Sequence, residues 1–123
     1  MSDHLPEGRH AVASLAGCPF EALNDEQALR TAIEEAVGIM GATLLQLASH
    51  HFDPQGVTAV ALLAESHASI HTYPEEGVAH LDAFTCGACD PQVFVDHLAQ
   101  ACRATHVERG RLARAPVSIE FSR

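Results

Sequence analysis

The sequence predicts an α+β fold: a two-layer sandwich with an antiparallel sheet and two helices on one face. Three observations predict it. Two stretches carry apolar residues at helical spacing, near 25–40 and 91–102. Between and around them lie short β-compatible runs, separated by Gly, Pro, Asn and Asp. The resulting order is β-α-β-β-β-β-α-β, and two helices are too few to cover both faces of such a sheet. The uncovered face is therefore expected to pack against a second copy. The chain has 123 residues, enough for one compact domain and too few for two ordinary ones.

Each element has a local cause. Residues 1–7 are polar and read as a loose lead-in. Residues 10–15 are small and β-compatible between Gly8 and Gly17, a strand. Asn24 and Gln27 read as an N-cap and its N3 partner. Leu29, Ala32, Ile33, Ala36, Val37 and Met40 then form one helical stripe, and Gly41 ends the helix. Residues 43–48 read as a strand, and residues 50–56, with Asp53, Pro54 and Gly56, as a turn. Residues 57–64 are nearly all apolar, as in a central strand. A short strand over 69–72 stops at Pro74, and another over 78–86 stops at Gly87. Asp90 and Pro91 open the second helix as cap and first residue. Its inner stripe is read as Phe94, His97, Leu98, Ala101 and Cys102. Residues 105–112 form a last strand, followed by a tail with room for a short strand over 117–121.

Composition narrows the function. Sixteen acidic residues against seven basic ones give a formal charge of −9, which argues against nucleic acid, whose binding needs basic patches. The balance suits a cationic substrate or simply a solvated acidic surface. No window approaches the roughly 20 apolar residues that span a bilayer, and the first residues carry no apolar targeting core. A cytoplasmic protein without a membrane partner is expected. Cys18, Cys86, Cys89 and Cys102 are then expected as reduced thiols.

Chemistry concentrates in residues 65–75 and 82–87. Ser66 follows a buried apolar strand where the chain must turn, and a turn can hold a residue in strained backbone geometry. With a base nearby, its hydroxyl can attack a neighbouring carbonyl. His67 and His71 are close in sequence, and Cys86 ends the next strand candidate. Brought to one corner of the sheet, these would be a nucleophile, a base and a proton carrier. Alternatively, Ser66 caps a turn and the histidines are ordinary polar residues.

The segments Glu65-Ser66-His67, Ile70-His71-Thr72 and Pro74-Glu75 resemble the processing site of the bacterial S-adenosylmethionine decarboxylases. Phe84-Thr85-Cys86-Gly87 resembles that family's second signature, and Gly8-Arg9-His10 with Cys18 its third. Glu108-Arg109-Gly110 is similar as well, so the resemblance runs over residues 8–111. It implies a proenzyme of residues 1–123 that cleaves itself between Glu65 and Ser66. Ser66 would attack the Glu65 carbonyl, and His71 would take the Ser66 α-proton from the resulting ester. Thr58 would assist. The product is a pyruvoyl group derived from Ser66, which takes the place of a bound cofactor. Cys86 would return a proton during decarboxylation, and Phe52 and Glu75 would bind the substrate's nucleoside. Phe52 could also meet a sulfonium by cation–π contact. The implied assembly is a homodimer of cleaved protomers, and the implied product supplies aminopropyl groups for polyamine (spermidine) synthesis.

Three positions depart from the family pattern: Ala68 where a bulky aliphatic residue is common, Tyr73 where Trp is frequent, and Ser14 where an acid is common. Ala68 and Ser14 bear on the substrate pocket, which leaves a basic amino acid such as arginine or ornithine as the alternative substrate. A non-catalytic regulatory paralogue is a further alternative, although Ser66, His71 and Cys86 are all retained. Cys86-Gly87-Ala88-Cys89 is a CxxC, but no second CxxC or HxxxH completes a zinc site, so no metal is expected. Cys18 and Cys102 read as small buried hydrophobes, and His50, His51, His80, His97 and His106 as structural or solvated.

Overall fold

A computed structural model describes residues 7–123. The expected lead-in over 1–7 therefore lies almost wholly outside the described residues. Seven strands form one sheet: β1 Gly8–Ala16, β2 Leu44–His51, β3 Val57–Leu63, β4 Ser66–Tyr73, β5 Val78–Thr85, β6 His106–Ala115 and β7 Ser118–Ser122. They lie in the order β2-β3-β4-β5-β1-β6-β7, with every neighbouring pair antiparallel. The helices are α1 Phe20–Leu23, α2 Glu26–Met40 and α3 Gln92–Ala101, with a 3₁₀ turn at Pro74–Glu76. The expected α+β sandwich is the observed one.

Alternation explains the two layers. Ala11, Ala13 and Leu15 on β1, Val57, Ala59, Ala61 and Leu63 on β3, Ala68 and Ile70 on β4, and Ala79, Leu81 and Ala83 on β5 are buried. They form one core with the stripe of α2 and with Phe94, Val95, Leu98 and Cys102 of α3 and its end. All six apolar residues expected to face inward on α2 do so. Ala61, Ala68, Ala83 and Ala11 are consecutive register partners across four strands, a floor of small side chains beneath the helices. The opposite face carries the other half of each strand and no helix. Val12, Val60 and Leu62 are exposed there.

Several boundaries differ from expectation for identifiable reasons. The α2 cap is Asp25, whose side chain accepts from the Ala28 N–H. Asn24 is instead engaged across the fold, where its Oδ1 accepts from the Gly56 N–H and pairs with His51 Nε2. Gly41 does close the helix, at φ 78°, a left-handed conformation that suits glycine. Asp90 does cap the start of α3 by accepting from the Gln92 N–H, with Pro91 already helical. On α3 the inward residue is Val95 rather than Ala101, which is exposed, and His97 reaches Glu35 on α2 at 3.0 Å. β2 runs on to His51, so the turn starts at Phe52. β4 begins at Ser66 rather than at 69, because Leu63 and Ser66 pair across a two-residue turn. The tail forms a second hairpin, β6–β7, on the sheet edge.

Candidate active site

The β3–β4 turn is Ala64-Glu65, and Glu65 sits at φ 62°. That left-handed conformation costs a residue with a side chain about 1–2 kcal/mol. The strained residue is thus the one whose carbonyl precedes Ser66. Cys86 Sγ donates to the Glu65 carbonyl oxygen at 3.4 Å. A thiol on that oxygen favours attack at the carbonyl carbon, because it receives the negative charge that builds there. The loop carrying Cys86 is tied down by its neighbours. Arg9 donates to the Cys89 carbonyl at 2.6 Å, and Thr85 donates to the same oxygen at 2.8 Å. Glu65, Ser66 and Cys86 therefore do meet at one corner of the sheet. Gly8 belongs to the same corner, where a Cβ would come within 2.4 Å of the Phe84 ring.

His71 is not at that corner. It lies five residues along β4 from Ser66, about 17 Å of strand. There its Nδ1 and the Thr58 hydroxyl form a hydrogen bond of 3.0 Å, at the other end of the strands. Phe52, exposed just beyond β2, and Glu75 in the 3₁₀ turn lie at this second end. Within one protomer the sequence-predicted site residues are thus divided between two ends of the strands. Ala68, expected at the substrate pocket, is instead fully buried on the helix-facing phase of β4. Its small size serves the alanine floor. Ser14, by contrast, does line a cavity of about 530 Å³ on the open face, with His71, His80, Asp82 and Glu108.

Sequence reasoning missed a cluster beside Ser66. His10 Nε2 lies 2.7 Å and His67 Nε2 3.4 Å from Asp82 Oδ2, and Ser69 donates to Oδ1. Burial tends to raise the Asp82 pKa, but the Ser69 and His10 hydrogen bonds and the charges of His10 and His67 outweigh it and hold the carboxyl below its ordinary range. The missed signal was strand alternation: His10, His67, Ser69 and Asp82 occupy the polar phase of strands whose other phase is core. Among the described residues, this trio is the group of His, Cys, Asp and Glu whose ligand atoms converge closely enough for a metal, and it contains neither cysteine of the CxxC. Cys18 and Cys102 are buried as expected, and burial pushes the Cys102 thiol up to about 12.

A family model described as S-adenosylmethionine decarboxylase matches residues 9–115. The chain belongs to the S-adenosylmethionine decarboxylase family. An S-adenosylmethionine decarboxylase proenzyme of Prochlorococcus marinus is 58% identical over 113 residues, covering 92% of this chain and 86% of the relative. One from Synechococcus is 46% identical over 114 residues, covering 91% and 89%. The crystal structure of the adenosylmethionine decarboxylase from Aquifex aeolicus is similar at a TM-score of 0.81 and 31% identity, covering 95% of this chain and 96% of that one. Both the decarboxylase resemblance and the α+β fold read from the sequence pattern are thereby borne out. No helix among the described residues is long and apolar enough to cross a membrane.

Proposed function

We propose that this chain is a proenzyme that cleaves itself between Glu65 and Ser66 and then decarboxylates S-adenosylmethionine. The observation that carries the reading is the junction itself: a strained Glu65, a hydroxyl on the next residue, and the Cys86 thiol on the carbonyl oxygen. Ser66 Oγ attacks the Glu65 carbonyl carbon, the amide C–N bond breaks, and an ester forms. A base removes the Ser66 α-proton, and the ester C–O bond breaks with Glu65 leaving as a carboxylate. Hydrolysis of the dehydrated serine releases its nitrogen as ammonia and leaves a pyruvoyl group. That group supplies a carbonyl which takes the substrate's amine and draws in the electron pair left when CO2 departs. Cys86 is placed to return a proton. Phe52 and Glu75 are exposed, as a nucleoside-binding pair must be. The name shared by the curated relatives favours S-adenosylmethionine over arginine or ornithine, and the product would serve aminopropyl transfer in polyamine synthesis.

The gap between Ser66 and His71 favours a homodimer. A two-fold axis lying between two open sheet faces and across the strands turns one protomer end for end. The Ser66 corner of each then meets the Thr58–His71 end of the other. The exposed Val12, Val60 and Leu62 supply apolar surface for that packing. His67, beside Ser66 and held by Asp82, is the alternative base within one protomer.

Complementation separates the two. Ser66→Ala and His71→Ala should each remain uncleaved when expressed alone. Co-expressed, they should give cleaved His71→Ala chain, because a hybrid dimer joins its Ser66 to the other chain's His71. Intact mass under denaturing conditions reads the outcome. Wild-type protein that stays one polypeptide would sink self-processing. Full cleavage of His71→Ala alone would transfer the base to His67.

A further inference from the structure

Thr58, His71, His80 and Ser14 are consecutive register partners across β3, β4, β5 and β1, all on the open face. Both ends of this row are hydrogen-bonded: Thr58 Oγ1 to His71 Nδ1 at 3.0 Å and Ser14 Oγ to His80 Nδ1 at 2.8 Å. Tyr73 packs edge-on against His80 with ring centroids 5.6 Å apart. His71 thus has a fixed neighbour on each flank, Thr58 on one strand and His80 on the other.

We propose that His80 is a positioning residue for His71, itself held by Ser14 and Tyr73; the inference rests on the reading of His71 as the processing base. The reason is mechanical. In the tautomer whose Nδ1–H donates to the Thr58 hydroxyl, Nε2 is the nitrogen that can take a proton. One hydrogen bond does not stop an imidazole from rocking about its Cβ–Cγ bond. Directly opposed side chains on neighbouring antiparallel strands have Cβ atoms about 4.5–5.5 Å apart, so His80, the register partner of His71, stands where it can bound that rocking on the β5 side. His80 can do so only if it is itself held, and its bond to Ser14 and its contact with Tyr73 hold it. A base must come within roughly 2.6–3.2 Å of its proton, and a misplacement of about 1 Å can cost on the order of 10²-fold in rate. His80 touches neither Ser66 nor substrate in this role. The two departures Ser14 and Tyr73 then acquire a shared purpose, since both contact His80.

The test uses the full chain and follows the stage at which processing stalls. His71 acts after the ester has formed, so loosening it should let ester accumulate. His80→Ala should slow conversion to cleaved chains by about 10–10²-fold and build up a precursor that hydroxylamine cleaves at residue 65. Ser14→Ala should do the same more weakly. His80→Phe restores a ring of similar width and should recover most of the rate. A residue needed only for stability would lower the melting temperature without trapping ester. Wild-type rates in both His80→Ala and Ser14→Ala would overturn the proposal, as would slow cleavage without hydroxylamine-sensitive precursor. If His80→Ala fails to fold, Ser14→Ala and His80→Phe decide the matter by the same readout. If wild-type chain itself does not cleave, the self-processing reading falls and takes this inference with it. Normal wild-type cleavage with unaffected variants removes this inference alone.

Discussion

Glu65 is where backbone energy meets chemistry. Its left-handed φ of 62° is a conformation that glycine adopts without penalty. Glu65→Gly should therefore relax the precursor and slow self-cleavage, by about 5–30-fold if the full 1–2 kcal/mol is released at the transition state. Glu65→Ala keeps the strain and should keep the rate, which controls for loss of the carboxylate. Cleavage of the glycine variant at or above the wild-type rate would show that the strain does not drive the step. The Cys86 thiol donates to the Glu65 carbonyl, and on the proposed mechanism it would serve twice, polarising that carbonyl before cleavage and returning a proton to product afterwards. Cys86→Ala should slow processing and also reduce decarboxylation per cleaved chain by about 10²–10⁴-fold. Separate measurement of cleaved fraction and turnover distinguishes the two losses. Ser66 and Cys86 were legible as a pair from motif alone. Their contact through the Glu65 carbonyl was not, because it depends on how the loop after β5 is pinned by Arg9 and Thr85.

The strands carry the core on one phase and a row of polar and titratable side chains on the other. Asp82 on β5 ties β1 to β4 through His10, His67 and Ser69. Its carboxyl is held below the ordinary value of 3.8 in the folded chain. A depressed carboxyl stabilises the fold above its unfolded pKa, and that contribution fades as pH falls through the lower folded value. Asp82→Asn should therefore lower the melting temperature near neutral pH, and the difference from wild type should shrink below about pH 4. A difference that is constant from pH 7 to pH 3 would rule out this origin. Helix α2 was readable residue by residue, since six apolar positions at one spacing admit a single face. Its cap was misread by one residue. Asn24 and Asp25 are equally good caps in isolation, and only the approach of Gly56 and His51 engages Asn24 elsewhere.

At the scale of the whole molecule, one sheet face is covered by helices and the other is open. Leu62 is half-exposed on the open face, near the β3–β4 turn. Leu62→Asp adds a charge where a second copy would pack and removes little from the protomer's own core. Light scattering should show twice the chain mass for wild type at micromolar concentration and a monomer for the variant. Processing should fall with the dimer, because each Ser66 would lose the other chain's His71. A monomeric variant that still processes normally would place the base within one protomer.

The sequence by itself determined the layer architecture and the buried stripe of α2, and its motifs pointed to Glu65–Ser66 as the junction proposed for cleavage. These follow from periodicity, turn chemistry and motif, which are local and survive in one dimension. The tertiary structure decided where those residues meet. Along β4, Ser66 and His71 look like neighbours, yet an extended strand advances about 3.3 Å per residue and carries them to opposite ends of the sheet. Across the strands, His10, His67 and Asp82, remote in sequence, become one cluster because β1, β4 and β5 lie side by side. Ala68 reads as pocket lining in the motif and is core in the fold, because its phase on β4 points to the helices. Register and phase are properties of paired strands, and no single strand contains them.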